Sequence, residues 1–253
     1  MNQIALITGA TSGIGRATAK MLAANNFNVI ITGRRSKKLE ELEEEILKST
    51  NAEVFSLNFD VRSKTEVEEA LHSLPNEWKN ISVLINNAGL AAGLDPIQNG
   101  SLADWEAMID TNIKGLLYVT KIVSHTMIEN KRGHIINLSS IAGKEAYSNG
   151  SVYCATKHAV EAISKSMRLD LLKYNIKVGT ISPGMVDTEF SLVRFHGDAQ
   201  KANNVYKGMT PLYAEDIAET ILFMITRPDH VNIDDILIMP TAQGLSRDVV
   251  RKE

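Results

Sequence analysis

An apolar run, Ile4-Ala5-Leu6-Ile7-Thr8, leads without a break into Gly9-Ala10-Thr11-Ser12-Gly13-Ile14-Gly15 and then into a helical stretch from Arg16 to about Ala24. The run has the length and β-branching of a buried strand. Glycines after such a strand let the backbone come close to a pyrophosphate, and the helix that follows offers unpaired N–H groups to it. Strand, glycine-rich turn and helix together form the context in which glycine spacing points to a dinucleotide. The spacing here is G-x-x-x-G-x-G, not the commoner G-x-G-x-x-G. Taken alone it also fits a tight βα turn with no ligand.

The alternation continues to the end of the chain. Strands are expected at 28–32, 53–59, 81–85, 135–138, 177–182 and 236–239. Helices are expected at 36–48, from the capping-box pattern Ser63-x-x-Glu66 to a stop at Pro75, over 102–130 with an interruption near Asn112, from about Val152 to Tyr174, and over 214–226. The residues 185–211 carry weak periodicity, exceed an ordinary connection, and are expected to form a lid. No repeat, linker or low-complexity tract divides the chain. The pattern predicts an α/β fold: one doubly wound parallel sheet with helices on both faces, a single domain over 1–253. A chain of 253 residues with 44% hydrophobic and 23% charged residues can bury the core such a sheet needs.

The net charge of −3 leaves no electrostatic footprint for nucleic acid or an acidic membrane. No apolar run approaches membrane-spanning length. Cys154 is the only cysteine, which forbids an internal disulfide and suits a reducing compartment. The early strand argues against a cleaved signal peptide. A cytoplasmic protein with no nucleic-acid or membrane partner is the expectation.

Chemistry-bearing residues concentrate in Ile135–Lys157. Tyr153 and Lys157 lie four apart on a predicted helix, one turn apart on one face. A phenol beside an ammonium can transfer protons, because the positive charge favours phenolate. Ser140, at the end of the preceding strand, can hydrogen-bond the same substrate oxygen. The pair also fits a surface lysine beside a half-buried tyrosine. Arg34 and Arg35 follow the second strand, where an acid would hold NAD ribose hydroxyls; arginines suit a 2′-phosphate, Arg34 first, or are solvated bases opening the next helix. Asn112 either satisfies a backbone kink or belongs to a site. The histidines lack metal-ligand spacing, and Cys154 reads as a small core residue. No G-x-S-x-G elbow is present, which disfavours acyl transfer.

Over essentially its whole length the chain resembles the short-chain dehydrogenase/reductase family. The resemblance is carried by Thr8-Gly9-x-x-x-Gly13-x-Gly15, Asp60, Asn86-Asn87-Ala88-Gly89, Asn112, Ser140, Tyr153-x-x-x-Lys157 and Pro183-Gly184. It implies Tyr153 as general acid/base, Ser140 polarising the carbonyl or hydroxyl, Lys157 lowering the Tyr153 pKa and holding the nicotinamide ribose, and Asn112 anchoring a water that relays protons to Lys157. It further implies a cofactor site formed by Thr8, Gly9, Thr11, Ser12, Gly13, Ile14, Gly15, Arg34, Arg35, Asp60, Val61, Asn87, Ala88, Gly89, Tyr153, Lys157, Pro183, Gly184, Val186 and Thr188.

Within that family the chain is similar to the NADP-dependent 3-hydroxy acid dehydrogenases, whose substrates include serine and allo-threonine. Thr32-Gly33-Arg34-Arg35, Thr188–Phe195 and His230-Val231-Asn232-Ile233 carry this likeness. It implies NADP as cofactor and a small-molecule substrate held by Ser140 and Tyr153; the wider family implies a homo-oligomer, tetramer or dimer, and the lack of ligand spacing implies no metal. Arg194 is the expected partner of a substrate carboxylate; pairing with Glu189 or Asp198 is the structural alternative. A general carbonyl reductase and a non-catalytic NADP-binding sensor are the rival functions. An epimerase would need a further substrate domain, for which the chain has no room.

Overall fold

The structure, a computed structural model, describes residues 2–252. Seven parallel strands alternate with helices in chain order. β1 (Gln3–Ile7), β2 (Phe27–Gly33) and β3 (Val54–Asn58) are joined by α1 (Gly13–Ala24) and α2 (Ser36–Ser49). α3 (Lys64–His72) leads to β4 (Ile81–Asn86), and α4 (Leu102–Ile109) with α5 (Leu116–Asn130) leads to β5 (Gly133–Leu138). Then come α6 (Ser151–Leu171), β6 (Ile176–Pro183), the short α7 (Phe190–Arg194) and α8 (Ala199–Asn204), α9 (Ala214–Ile225) and β7 (Asp235–Ile238). The strand order is β3-β2-β1-β4-β5-β6-β7. The expected doubly wound sheet is the one found.

Both sheet faces are covered, which is why the central strands are apolar at successive positions. Ile4, Leu6, Ile30, Leu84 and Ile135 pack against α3, α5 and α6 on one face. Ala5, Ile7, Val29, Ile31, Val83, Ile85 and Ile136 pack against α1, α2 and α9 on the other. Among the described residues no helix is long and apolar enough to cross a membrane.

Several element ends differ from expectation for local reasons. α1 begins at Gly13, not Arg16, so the glycine turn itself supplies the first helical turn. The capping box at Ser63 is half made: Ser63 Oγ accepts from Glu66 N, but Glu66 Oε2 accepts from Asp60 N instead of the Ser63 backbone. Ser63 N is already engaged by the Asp60 carbonyl, which leaves Glu66 free to reach further back. The interruption near Asn112 is a π-helical turn over Asp110–Gly115. The expected lid contains α7 and α8, separated by a left-handed His196-Gly197 bend.

β4, β5, α5 and α6 are cross-linked by buried side-chain amides. Asn86 Nδ2 donates to Thr120 Oγ1 and to Asn137 Oδ1, each at 2.8 Å, and Asn137 Nδ2 donates to Ser164 Oγ at 2.8 Å. Asn137 has 0% exposure, so removing its amide strands Asn86 and Ser164 inside the core and opens a void. Asn137→Ala should therefore lower the unfolding free energy by about 2–3 kcal/mol in urea titrations. A change under about 0.5 kcal/mol would show that the network does not brace this half of the sheet.

Candidate active site

Chain order reverses between β1 and β4, so a crevice opens at their carboxyl ends, where doubly wound sheets take ligands. The two half-sheets are stitched there by side chains. Thr8 Oγ1 accepts from Asn87 N and Ala88 N, both at 3.0 Å, and Asn87 Nδ2 donates to Thr8 O at 2.8 Å and Gly9 O at 3.1 Å. A Cβ on Gly15 would fall 2.4 Å from both Asn87 Nδ2 and Gly9 O, so only glycine lets α1 start this close to the stitch. Gly9 has φ +68°, and a Cβ there would meet Ala88 Cα at 2.9 Å.

A cavity of about 350 Å³ lies over this junction. It is lined by Gly9, Thr11, Ser12, Gly13, Ile14, Arg34, Arg35, Asp60, Val61, Asn87, Ala88, Gly89, Ser140, Tyr153, Lys157, Pro183, Gly184, Val186 and Thr188. Four expected residues do not line it. Thr8 and Gly15 are the frame just described; Asn112 stands behind the wall, and Arg194 lines a small adjoining pocket that shares Tyr153. The cradle fits a dinucleotide: bare backbone at Gly9 and Gly13, the amino end of α1, and two arginines at the far end.

Arg35, not Arg34, is the arginine drawn over the glycine loop. Its Nε and Nη2 donate to Thr11 Oγ1 at 3.1 and 2.8 Å, its Nη2 to Ser12 Oγ at 2.9 Å, and its Nη1 to Glu189 Oε2 at 2.9 Å. Arg34 is more exposed and lies 3.7 Å from Asp60 Oδ2. Burial raises the Asp60 carboxyl, but hydrogen bonds from Arg62 outweigh it and hold the group below its ordinary value.

Tyr153 and Lys157 project from the first turns of α6, both under a tenth exposed. Ser140 caps a short 3₁₀ turn after β5, its Oγ accepting from Ala142 N at 3.1 Å. Burial pushes the Tyr153 phenol up to about 12, against the nearby Arg194 charge and a hydrogen bond with Ser140. Burial likewise pushes the Lys157 ammonium down to about 8, opposed by the Glu161 carboxylate. Lys157 Nζ donates to the Leu138 carbonyl at 2.7 Å, and the cation acting on the phenol is Arg194. Desolvation disfavours both charged forms and wins at each group.

Asn112 in the π turn holds the wall. Its Oδ1 accepts from Leu90 N at 2.9 Å, and its Nδ2 donates to Leu90 O at 2.9 Å and Thr156 Oγ1 at 3.0 Å. A Cβ on Gly89 would sit 3.3 Å from Asn112 Oδ1 and 3.5 Å from Lys157 Nζ, so both groups flank the same stretch of backbone. Arg194 does not pair with Glu189 or Asp198, which bond Arg35 and Lys201 instead. Its guanidinium stacks 4.9 Å from the Tyr153 ring centroid and 5.1 Å from that of Phe190, and donates to Tyr147 Oη at 3.1 Å. Its Nε is buried without an acceptor.

The sequence reading missed Glu161. It is 7% exposed, accepts from Lys144 Nζ at 2.6 Å and Ser182 Oγ at 2.9 Å, and lies one turn beyond Lys157. The four-residue spacing from Lys157 was the available signal. Tyr147 carried no signal and Phe190 none beyond the Thr188–Phe195 likeness; both pack around Arg194, and the loop and the lid meet only in the folded chain. Among the described residues no group of three or more His, Cys, Asp or Glu is placed to hold a metal ion.

The sequence profile of the short chain dehydrogenases matches residues 3–197. The NADP-dependent 3-hydroxy acid dehydrogenase YdfG of Salmonella typhi is 46% identical over 244 residues, covering 96% of this chain and 97% of that protein. Sulfoacetaldehyde reductase 2 of Chromohalobacter salexigens is 43% identical over 254 residues, covering 100% of both. The closed form of a serine dehydrogenase complexed with NADP+ superposes with a TM-score of 0.93 at 43% identity, covering 99% of this chain and 100% of that one.

The Lys157 value has a consequence for stability. The ammonium titrates near 8 in the folded chain and near 10.5 in the unfolded one, so between these values the unfolded chain holds more protons. The Lys157 contribution to stability is therefore present above pH 10.5 and lost as pH falls through about 8. In denaturant titrations the wild type should gain stability relative to Lys157→Met as pH rises across that window. Parallel curves for the two proteins would mean that Lys157 titrates normally.

Proposed function

Since this chain is a member of the short-chain dehydrogenase/reductase family, we propose that it is an NADP(H)-dependent oxidoreductase interconverting a secondary alcohol and a ketone on small 3-hydroxy acids such as serine or allo-threonine. The observation that carries the reading is that Ser140, Tyr153 and Lys157 line the same cavity as the glycine loop and the arginine pair. The nicotinamide, when bound, supplies the hydride chemistry. The remaining tasks fall to the chain.

Backbone from Gly9 to Gly15 and from Asn87 to Gly89 receives the dinucleotide, and Arg34 and Arg35 meet its 2′-phosphate. Ser140 Oγ orients the substrate oxygen, and Tyr153 Oη transfers the proton. A phenol held near 12 is protonated at neutral pH, the state needed to donate to a forming alkoxide in ketone reduction. In the oxidative direction it needs added positive charge, the role assigned to Lys157 and Arg194. Asn112 keeps the Leu90 wall and α6 in register for that transfer. Residues 185–211 serve as the lid that excludes water. A homo-oligomer, dimer or tetramer, belongs to the same reading on family resemblance; a cytoplasmic location rests on the single, buried Cys154.

The full-length likeness to a sulfoacetaldehyde reductase supports a second reading, reduction of an aldehyde that also bears an anionic group. A spectrophotometric panel of hydroxy acids, uncharged alcohols and carbonyls with NADP(H) and NAD(H) separates the two, and no turnover on either group would remove both. Tyr153→Phe should reduce kcat by at least about 10²-fold while NADPH still binds, because only the titrating hydroxyl is lost. Near-normal turnover would remove Tyr153 from its role.

Arg194 has two possible duties, carboxylate binding or alignment of the Tyr153 ring. Its unpartnered Nε supports the first and its stacking geometry the second. Arg194→Met should depress kcat/KM for a 3-hydroxy acid by about 10²-fold and spare an uncharged alcohol, if the guanidinium holds the carboxylate. An equal loss on both substrates assigns it to the phenol.

A further inference from the structure

The family profile stops at residue 197, so the end of the chain takes no role from it. That end folds back onto the lid. Beyond β7 it turns at Pro240 into a short hairpin, with an antiparallel bridge between Gln243 and Val249. Val250 N donates to Ala242 O at 2.8 Å and Gly244 N to Asp248 O at 2.9 Å. Gln243 is buried, and its Oε1 accepts from Met185 N at 2.8 Å. A Cβ on Gly184 would fall 2.3 Å from that oxygen, so the hairpin is seated on the root of the lid. The last residues tie down the lid's other end. Lys252 N donates to Gly208 O at 2.7 Å, and Arg251 Nη2 to Val205 O at 2.9 Å.

The hairpin fixed in this way carries Arg247, whose guanidinium lies 4.7 Å from the centroid of the Tyr147 ring. The other neighbours of that ring are equally close. A Cβ on Gly150 would meet Tyr147 Cε2 at 2.2 Å, so the ring fits only because glycine precedes α6. Tyr147 Oη accepts from Arg194 Nη2 at 3.1 Å, and Arg194 lies over the Tyr153 ring at 4.9 Å. Guanidinium and phenol therefore alternate from the tail to the proton-transferring group, in the order Arg247, Tyr147, Arg194, Tyr153. Arg247 lines neither the cofactor cavity nor the small pocket bounded by Tyr147, Tyr153 and Arg194. Its influence on the reaction has to pass through Tyr147.

We infer that Arg247 is a positioning residue: the C-terminal hairpin lays its guanidinium on Tyr147, and Tyr147 so held orients Arg194 beside Tyr153. This deepens the oxidoreductase reading and rests on it. A planar guanidinium acts on a substrate anion or on a phenol only in a fixed orientation, and the Tyr147 oxygen is the acceptor that fixes Arg194. Arg194 rides on the lid and Arg247 on the hairpin bonded to both lid ends, so the stack belongs to the lid in its closed place.

A double-mutant cycle on kcat/KM tests the relay, with substrates taken from the panel above. Arg247→Met should lower kcat/KM about two- to fivefold, the scale of one exposed cation–ring contact. Tyr147→Phe keeps the ring but removes the acceptor for Arg194, and should cost about tenfold. In the Tyr147→Phe background Arg247→Met should change nothing further, because the relaying oxygen is gone. Arg247→Lys, which returns a cation to the ring, should match the wild type. The Arg247→Met loss should also fall on the same substrates as the Arg194→Met loss, a selectivity that a loosened tail would not produce. No loss in Arg247→Met, an equal loss in both backgrounds, a Lys variant as weak as the Met variant, or a different set of affected substrates overturns the relay. A wild type inactive on the whole panel overturns the oxidoreductase reading and this inference with it, a result distinct from an Arg247 effect that ignores Tyr147.

Discussion

The structure depends on a close approach of backbone at one point, the junction of β1 and β4. Thr8 and Asn87 exchange side-chain bonds with each other's main chain there, and Gly9 and Gly15 leave room for them by having no Cβ. A parallel sheet that reverses its winding direction leaves a gap at this place, with polar main chain on both sides. The stitch satisfies part of that main chain from within, and the rest is left facing the cavity for a ligand. The residues that close the fold and those that receive the cofactor are thus neighbours, alternating along two short segments.

Burial then decides the chemistry of the side chains over that gap. Tyr153 and Lys157 lose water, and each shifts towards its neutral form. A simple picture of an ammonium drawing a proton off a phenol does not describe this state, because Lys157 donates to the Leu138 carbonyl and the phenol faces Arg194. The positive charge near the reacting oxygen therefore has two sources of different origin. One is Lys157 on α6, whose Nζ donates to the Leu138 carbonyl and whose charged form the Glu161 carboxylate favours. The other rides on α7, which is attached to the cofactor end of the site through Glu189. A rigid cation and one carried on a lid give the phenol an environment that depends on closure.

The sheet and the cofactor loop were legible in the chain because each is encoded locally. Val29, Ile30 and Ile31 declare a strand buried on both faces, and Gly9, Gly13 and Gly15 declare a turn that permits close approach. Tyr153 and Lys157 could be paired because helical spacing is itself a distance. The break near Asn112 was visible as polarity in an apolar pattern, and its form as a π turn was not, because that depends on Leu90 and Thr156 accepting and offering bonds from other segments.

What only tertiary structure decided is where charges meet across segments. Arg35 and Arg34 are equivalent in the chain; packing of the lid root on the glycine loop gives Arg35 the cradle and leaves Arg34 beside Asp60. Arg194 had carboxylates within easy sequence reach, yet Glu189 was taken by Arg35 and Asp198 by Lys201, so the guanidinium turned onto the Tyr153 and Phe190 rings. The desolvation of the Tyr153 phenol was not legible either, since spacing reports which groups are near but not how much water surrounds them. The sequence by itself determined the periodic and the sterically exacting features, which need only neighbouring residues. Desolvation and the choice among competing ion partners are properties of the assembled cavity, and they were decided there.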